Sequence, residues 1–281
     1  MSDEYPIGDV SNNQGQVAAG SHNAQAQAIV NMAERAKALH QLRLPIADFV
    51  GRGADVAALV ATLKAGTGTA AAISGIRGMG GIGKTELAYA VAAQVCETFP
   101  DAQIVLNLAG ATNPLPPQQA LQNVILAFEP GARLPDDVPT LTNIYRACLH
   151  GKRVLVLADD AKDAAQVRPL LPPAGCALLV TSRQHFTLPG MRTHDLGVLP
   201  AADAVALLVE VCPRIEEHAA ELARLCGHLA LALRVSADVL ANDDTRSVER
   251  YLAQLREHER LRHLRDPDNP DDPAACVEAS L

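Results

Sequence analysis

The chain has 281 residues, 48% hydrophobic, 20% charged and 3% aromatic with no tryptophan, and 24 Lys and Arg against 32 Asp and Glu give it a formal net charge of -8. This is globular composition with an aliphatic core, long enough for one α/β domain and a smaller second one. The acidic balance supplies no clustered Lys and Arg to release counterions from a phosphate backbone, so nucleic acid is not an expected partner within this chain.

The N-terminus, MSDEYPIGD, lacks an apolar signal core and no apolar run reaches the length of a bilayer span, which predicts a cytoplasmic chain without a membrane partner. The six cysteines (Cys96, Cys148, Cys176, Cys212, Cys226, Cys276) include no C-x-x-C pair and read as reduced and buried. His258 and His263 fall in a charged helix and read as solvated rather than metal-bound.

Residues 10–33, VSNNQGQVAAGSHNAQAQAIVNMA, contain no Asp, Glu, Lys or Arg and are rich in Gln, Asn, Gly and Ala. They form a biased leader that extends, with a short helix over 24–40, to residue 46. Apolar residues at helical spacing from Val56 to Leu63 end at Gly66. TAAAISGI (69–76) reads as a strand, and KTELAYAVAAQVCETF after it as a helix. Further strands are expected at QIVLNLAG (103–110), RVLVLADD (153–160), ALLVTS (177–182) and around THDLGV (193–198), with helices near 117–129 and 139–149. Five short apolar strands alternating with helices predict an α/β fold with a parallel sheet flanked by helices over residues 47–199. Beyond Pro200 the pattern is helical through residue 265 (AADAVALLVEVC, EEHAAELARLCG, LALALRVSADVLAN, SVERYLAQLREHERLRHL), which predicts a small second domain. The Pro- and Asp-rich RDPDNPDDP then leads to AACVEASL without a domain-ending signal, and residues 266–281 read as a linker and the opening of a further domain.

Between the first strand and its helix stands GMGGIGKT, which fits G-x-x-x-x-G-K-[ST] with Gly78, Gly83, Lys84 and Thr85. In such a loop the backbone amides of Met79, Gly80, Gly81, Ile82 and Gly83 can wrap a phosphate because glycine permits the required φ values and close approach. Lys84 then reaches the outer phosphate oxygens, and the Thr85 hydroxyl joins a Mg²⁺ shell at a helix N-terminus. RVLVLADD supplies the partner element: Asp159 is placed to hold the metal through water, and Asp160 to orient or deprotonate an attacking water. The competing reading has both aspartates capping the following helix. In ALLVTSRQH the strand ends in Thr181, Ser182 and Arg183, and Arg183 is placed to sense a γ-phosphate. A whole strand lies between the loop and the aspartates, which suits the P-loop NTPases that insert a strand between those two elements.

FVGRG (49–53), GMGGIGKT, LVLADDA (155–161), LLVTSR (178–183), LPAADAVALL and CGHLALAL (226–233) resemble, in order and spacing, the NB-ARC family of signal-transduction NTPases of the STAND class. The resemblance spans residues 47–281. It implies ADP or ATP with Mg²⁺ held between the α/β and helical domains, ADP in a closed resting state, ATP exchange that permits homo-oligomerisation, and hydrolysis as a slow reset. Phe49, Val50 and Arg52 match the segment that covers adenine and ribose. Gly53 stands where the family has Glu, and Ala230 where it has a proline packed on the adenine, so weaker adenine contact is implied. AACVEASL resembles the start of the family's winged-helix domain. Two rival functions remain at this stage: an ordinary turnover ATPase, and the NTPase module of a bacterial transcriptional regulator.

GQVAAGSHNAQAQ (15–27) resembles RHIM-like amyloid signalling motifs, which would give this segment an effector partner of the same kind through stacked Asn and Gln ladders. The alternative is a solvated, disordered leader.

Overall fold

In the computed structural model residues 39–65 and 70–265 are described, residues 258–265 by backbone alone. The 10–33 leader with its amyloid-like motif, the expected 24–40 helix up to residue 38, Gly66, Cys276 and the 266–281 tail lie outside the described residues.

The sheet and the helices around it comprise α1 (Gly53–Ala65), β1 (Ala72–Arg77), α2 (Lys84–Val95), β2 (Ala102–Asn107), α3 (Pro117–Phe128), α4 (Val138–Leu149), β3 (Val154–Ala161), the single turn α5 (Ala164–Val167), β4 (Ala177–Ser182) and β5 (Met191–Asp195). All strand pairings are parallel and the sheet order is β2-β3-β4-β1-β5. This is the expected α/β architecture, with β4 inserted between the strand that feeds the glycine loop and the strand that carries the aspartates.

The period-2 geometry of a strand sends neighbouring side chains to opposite faces, and here both faces are covered. Leu155, Leu157 and Leu179 join the core with α1 and α2, whereas Val154, Val156, Leu178 and Val180 join the core with α3 and α4. That double burial is why β1, β3 and β4 read as continuous apolar runs rather than alternating ones. The fifth strand is the exception. It is Met191–Asp195 rather than 193–198, it lies at the sheet edge, and none of its residues is buried, so an apolar-run criterion displaces it towards Leu196 and Val198.

The helices expected to form a second domain are α6 (Ala201–Val211), α7 (Ala219–Leu225), α8 (Ala230–Ala241) and α9 (Val248–Arg265). The expected 216–227 helix is divided into a 3-10 stretch, Pro213–His218, and α7. Arg214 donates to the carbonyl of Leu240, which the C-terminus of α8 leaves open, and to those of Asp243 and Arg246 in the turn that follows. Buried apolar residues of α6 to α9 belong to the same core cluster as α1 and α2, so these helices share their core with the helices that cover one side of the sheet.

Of the described cysteines, all five are free; Cys176, Cys212 and Cys226 are buried, while Cys96 and Cys148 are only partly so. Among the described residues no helix is long and apolar enough to cross a membrane.

Candidate functional site

The glycine loop joins β1 to α2, and Gly83 caps the helix with φ +99°. The first rung of the α2 ladder is Leu87 N to Gly83 O at 2.9 Å. Amides preceding it have no acceptor inside the helix, which leaves them to the space the loop encloses. Gly81, at φ +74°, is a second left-handed position, and a Cβ there would come within 3.1 Å of Leu231 Cβ. Glycine is therefore required at Gly81 both by backbone conformation and by the approach of α8.

Lys84 is 8% exposed and donates to Gly78 O and Met79 O, both at 2.8 Å. Burial, with Arg183 as the next contributor, pushes its ammonium below the ordinary lysine range; Asp160 and Asp159 oppose that shift. Two of its three donors brace the loop, and the third is left for an anion.

Thr85 Oγ1 donates to Asp159 at 2.9 Å to Oδ1 and 3.1 Å to Oδ2. From the other side Thr181 Oγ1 donates to Asp159 Oδ1 at 2.5 Å and accepts the Asp160 amide at 2.9 Å. Thr181 is 1% exposed, so its one hydroxyl fixes both aspartates. Asp160 has φ +54°, a left-handed conformation that Asp tolerates better than most residues. Its Oδ2 accepts from Ala111 N at 3.0 Å, and its Oδ1 lies 3.7 Å from Arg183 Nε. The helix-capping alternative for the aspartates is not what the geometry shows, because both lie within β3 and the cap of α5 is Asp163, which accepts from Gln166 N.

These groups share a cavity of about 640 Å³. Phe49, Val50, Arg52, Gly80, Gly81, Ile82, Gly83, Lys84, Thr85, Asp159, Asp160, Arg183 and Ala230 all line it; Gly78 and Met79 do not, and serve through their carbonyls to Lys84. Arg52 has protein partners for its guanidinium: Gly197 O at 2.6 Å, Ile82 O at 3.3 Å and Asp55 at 3.5 Å. Burial lowers its pKa, against Asp55. It thus ties the glycine loop to the connection between the two domains. The helical domain closes the cavity through the first turn of α8: Leu231 N donates to Gly81 O at 3.0 Å, and the Ala230 side chain stands 3.7 Å from where a Gly83 Cβ would be. Asp48, Leu231 and Arg234 also line the site and were not singled out from the sequence. Arg234 stands four residues after Ala230 and three after Leu231, the helical spacing that could have found it; Leu231 and Asp48 carry no local signal beyond adjoining Ala230 and Phe49.

The donor set fits a nucleoside polyphosphate. Loop amides without helical partners, a buried ammonium and a helix N-terminus face one cavity. Thr85 and Asp159 fit a divalent cation; among the described residues no group of three or more His, Cys, Asp or Glu could hold one alone, so phosphate and water would complete its oxygen shell.

No family model matches the chain. The regulatory protein AfsR of Streptomyces coelicolor is 38% identical over 234 residues, and that of Streptomyces griseus 38% identical over 229 residues; each match covers 78% of this chain. Over that stretch this chain and the AfsR proteins are homologous. The chain spans only 24% of the length of either AfsR protein. Among solved structures, a signal-transduction ATPase with numerous domains (STAND) protein with a tetratricopeptide repeat sensor from Pyrococcus horikoshii is 15% identical with a TM-score of 0.49, covering 85% of this chain and 40% of that one. PCH-2 of C. elegans is 12% identical with a TM-score of 0.42, covering 81% of this chain and 66% of that one.

Proposed function

We propose that this chain is the nucleotide-holding module of an NB-ARC type STAND regulator, in which ADP maintains a closed resting state and exchange for ATP permits homo-oligomerisation, with hydrolysis as a slow reset. The observation that carries this reading is the Leu231 N to Gly81 O bond at 3.0 Å. It makes the helical domain a wall of the phosphate-binding cavity, so a ligand that alters the loop also bears on domain docking.

In this reading the loop amides and Lys84 hold the phosphates, Thr85 and Asp159 hold Mg²⁺, and Phe49, Val50 and Ala230 cover the base. The metal, when bound, neutralises charge on the phosphate oxygens. Asp160 is the water-orienting carboxylate and Arg183 the γ-phosphate sensor. At 3.7 Å their charges hold each other, and a γ-phosphate would compete with Asp160 for Arg183. The likeness to proteins named as regulatory favours a signalling role over a work-performing ATPase and also suits the transcriptional-regulator form of the same module. Calorimetric titration with ADP tests the site; one molecule bound per chain is expected, and no heat with either ADP or ATP would remove the reading.

A further inference from the structure

Two charged side chains that line the cavity, Asp48 and Arg234, are given no role in the reading above. Arg234 Nη1 lies 2.6 Å from both carboxylate oxygens of Asp48, aligned as a hydrogen bond to Oδ1. The Oδ2 atom is buried and takes no hydrogen bond, so its charge is compensated by Arg234 without further donors. Asp48 is the more enclosed partner, its side chain 16% exposed against 36% for Arg234.

The pair joins segments that are far apart in sequence. Asp48 belongs to the stretch leading into α1, which is fastened upstream where Gln41 N donates to Gln103 O at 2.9 Å and Gln41 Oε1 accepts Val105 N at 2.8 Å. Between these points Arg43 pairs with Glu86, next to Thr85, and its guanidinium lies 3.9 Å from the centre of the Tyr89 ring. Arg234 stands one helical turn beyond Ala230 on α8. The first turn of that helix rests on the glycine loop and the next reaches Asp48, placing the ion pair between the helical domain and the N-terminal stretch with the cavity beside both.

We propose that Asp48 and Arg234 form a latch that holds the helical domain over the cavity and sets how fast a bound nucleotide escapes. When α8 lifts, Asp48 becomes hydrated and Arg234 retains Asp238, 3.8 Å away on its own helix, so the cost of opening is the difference between the latch and those substitutes. The closed state then depends on the pair, while the fold of each domain does not. The escape-rate part rests on the nucleotide reading above; the docking part is independent of it.

The test uses Asp48→Asn, Arg234→Gln and the double variant of the full 281-residue chain, with two readouts: dissociation of a fluorescent ADP analogue chased by excess ADP, and amide hydrogen exchange in the first turn of α8. Each single variant is expected to release the analogue about ten-fold faster, between the effects of exposed and fully buried pairs, and to lose protection at Leu231 to a similar degree. The double variant should be no faster than the faster single one, because the second substitution removes a partner already lost. Wild-type exchange or wild-type dissociation in both single variants, or effects that multiply in the double, would overturn the latch. If the wild type binds no analogue, the nucleotide reading fails, and the exchange measurement alone decides the latch.

Discussion

Thr85 Oγ1 stands 2.9 Å from Asp159 Oδ1, joining the first turn of α2 to the C-terminal end of β3 across the inserted strand β4. The bridge depends on Thr181, whose hydroxyl reaches the same carboxylate from β4 and accepts the next amide along β3. The carboxylate proposed to hold Mg²⁺ is therefore oriented toward Thr85 by a hydroxyl on one buried strand.

Thr181→Val keeps the volume but removes both bonds, leaving the Asp160 amide without its acceptor. A stability loss of about 1–3 kcal/mol is expected from the unmet polar group. Mg²⁺-dependent ATP affinity should fall while ADP affinity without Mg²⁺ persists, and Thr181→Ser should restore most of it. Equal loss of both affinities in Thr181→Val would show that the hydroxyl serves the fold rather than the carboxylates.

Lys84→Ala should abolish nucleotide binding. Because Lys84 is buried and braces Gly78 O and Met79 O, the substitution also removes a donor from the loop, a cost that the sequence motif does not reveal; circular dichroism should show the fold retained at reduced thermal stability. Unchanged ADP affinity in calorimetry would refute the assignment.

The lysine also gives affinity a pH dependence. Its pKa is lowered in the ligand-free protein and would be raised again by polyphosphate, so binding favours the protonated form. Affinity should be constant below the free-protein pKa and decline as pH rises through it towards the ordinary 10.5. Lys84→Arg, which stays charged, should bind without this decline. Titrations of both proteins at rising pH check the sign; a wild-type affinity that increases with pH would contradict it.

Gly81→Ala places a side chain at φ +74° and against Leu231. A left-handed alanine costs about 1–2 kcal/mol, and relief requires α8 to move. Lower thermal stability together with faster hydrogen exchange at Leu231 is expected; wild-type values for both would mean that the domain contact is not as tight as the geometry states.

Much of this arrangement was legible because the chemistry is local. GMGGIGKT, RVLVLADD and ALLVTSR each announce a strand end with polar groups attached, and double burial gives β1, β3 and β4 their apolar runs. The placement of β5 was less legible, since an exposed edge strand carries no such run. Pro213 to His218 contains helix-compatible residues, and nothing in that local pattern marks its 3-10 form, in which Ile215 is fully buried. Long-range partners were the hardest to read: nothing near Arg52 points to Gly197 O, and nothing near Asp48 points to Arg234, 186 residues away. Such pairs are chosen by domain docking.

In the proposed function the cavity keeps nucleotide as a state instead of consuming it. Asp160 is occupied by Ala111 N and Arg183, and the other arginines among the described cavity residues, Arg52 and Arg234, are engaged by Gly197 O and Asp48, so neither is free to stabilise charge developing at the γ-phosphate. Steady-state ATP turnover by the wild type and by Asp160→Ala measures this directly. Turnover well below about one per second, the low edge of typical enzyme rates, is expected. Sustained turnover above that rate, abolished in Asp160→Ala, would contradict it and identify a working ATPase.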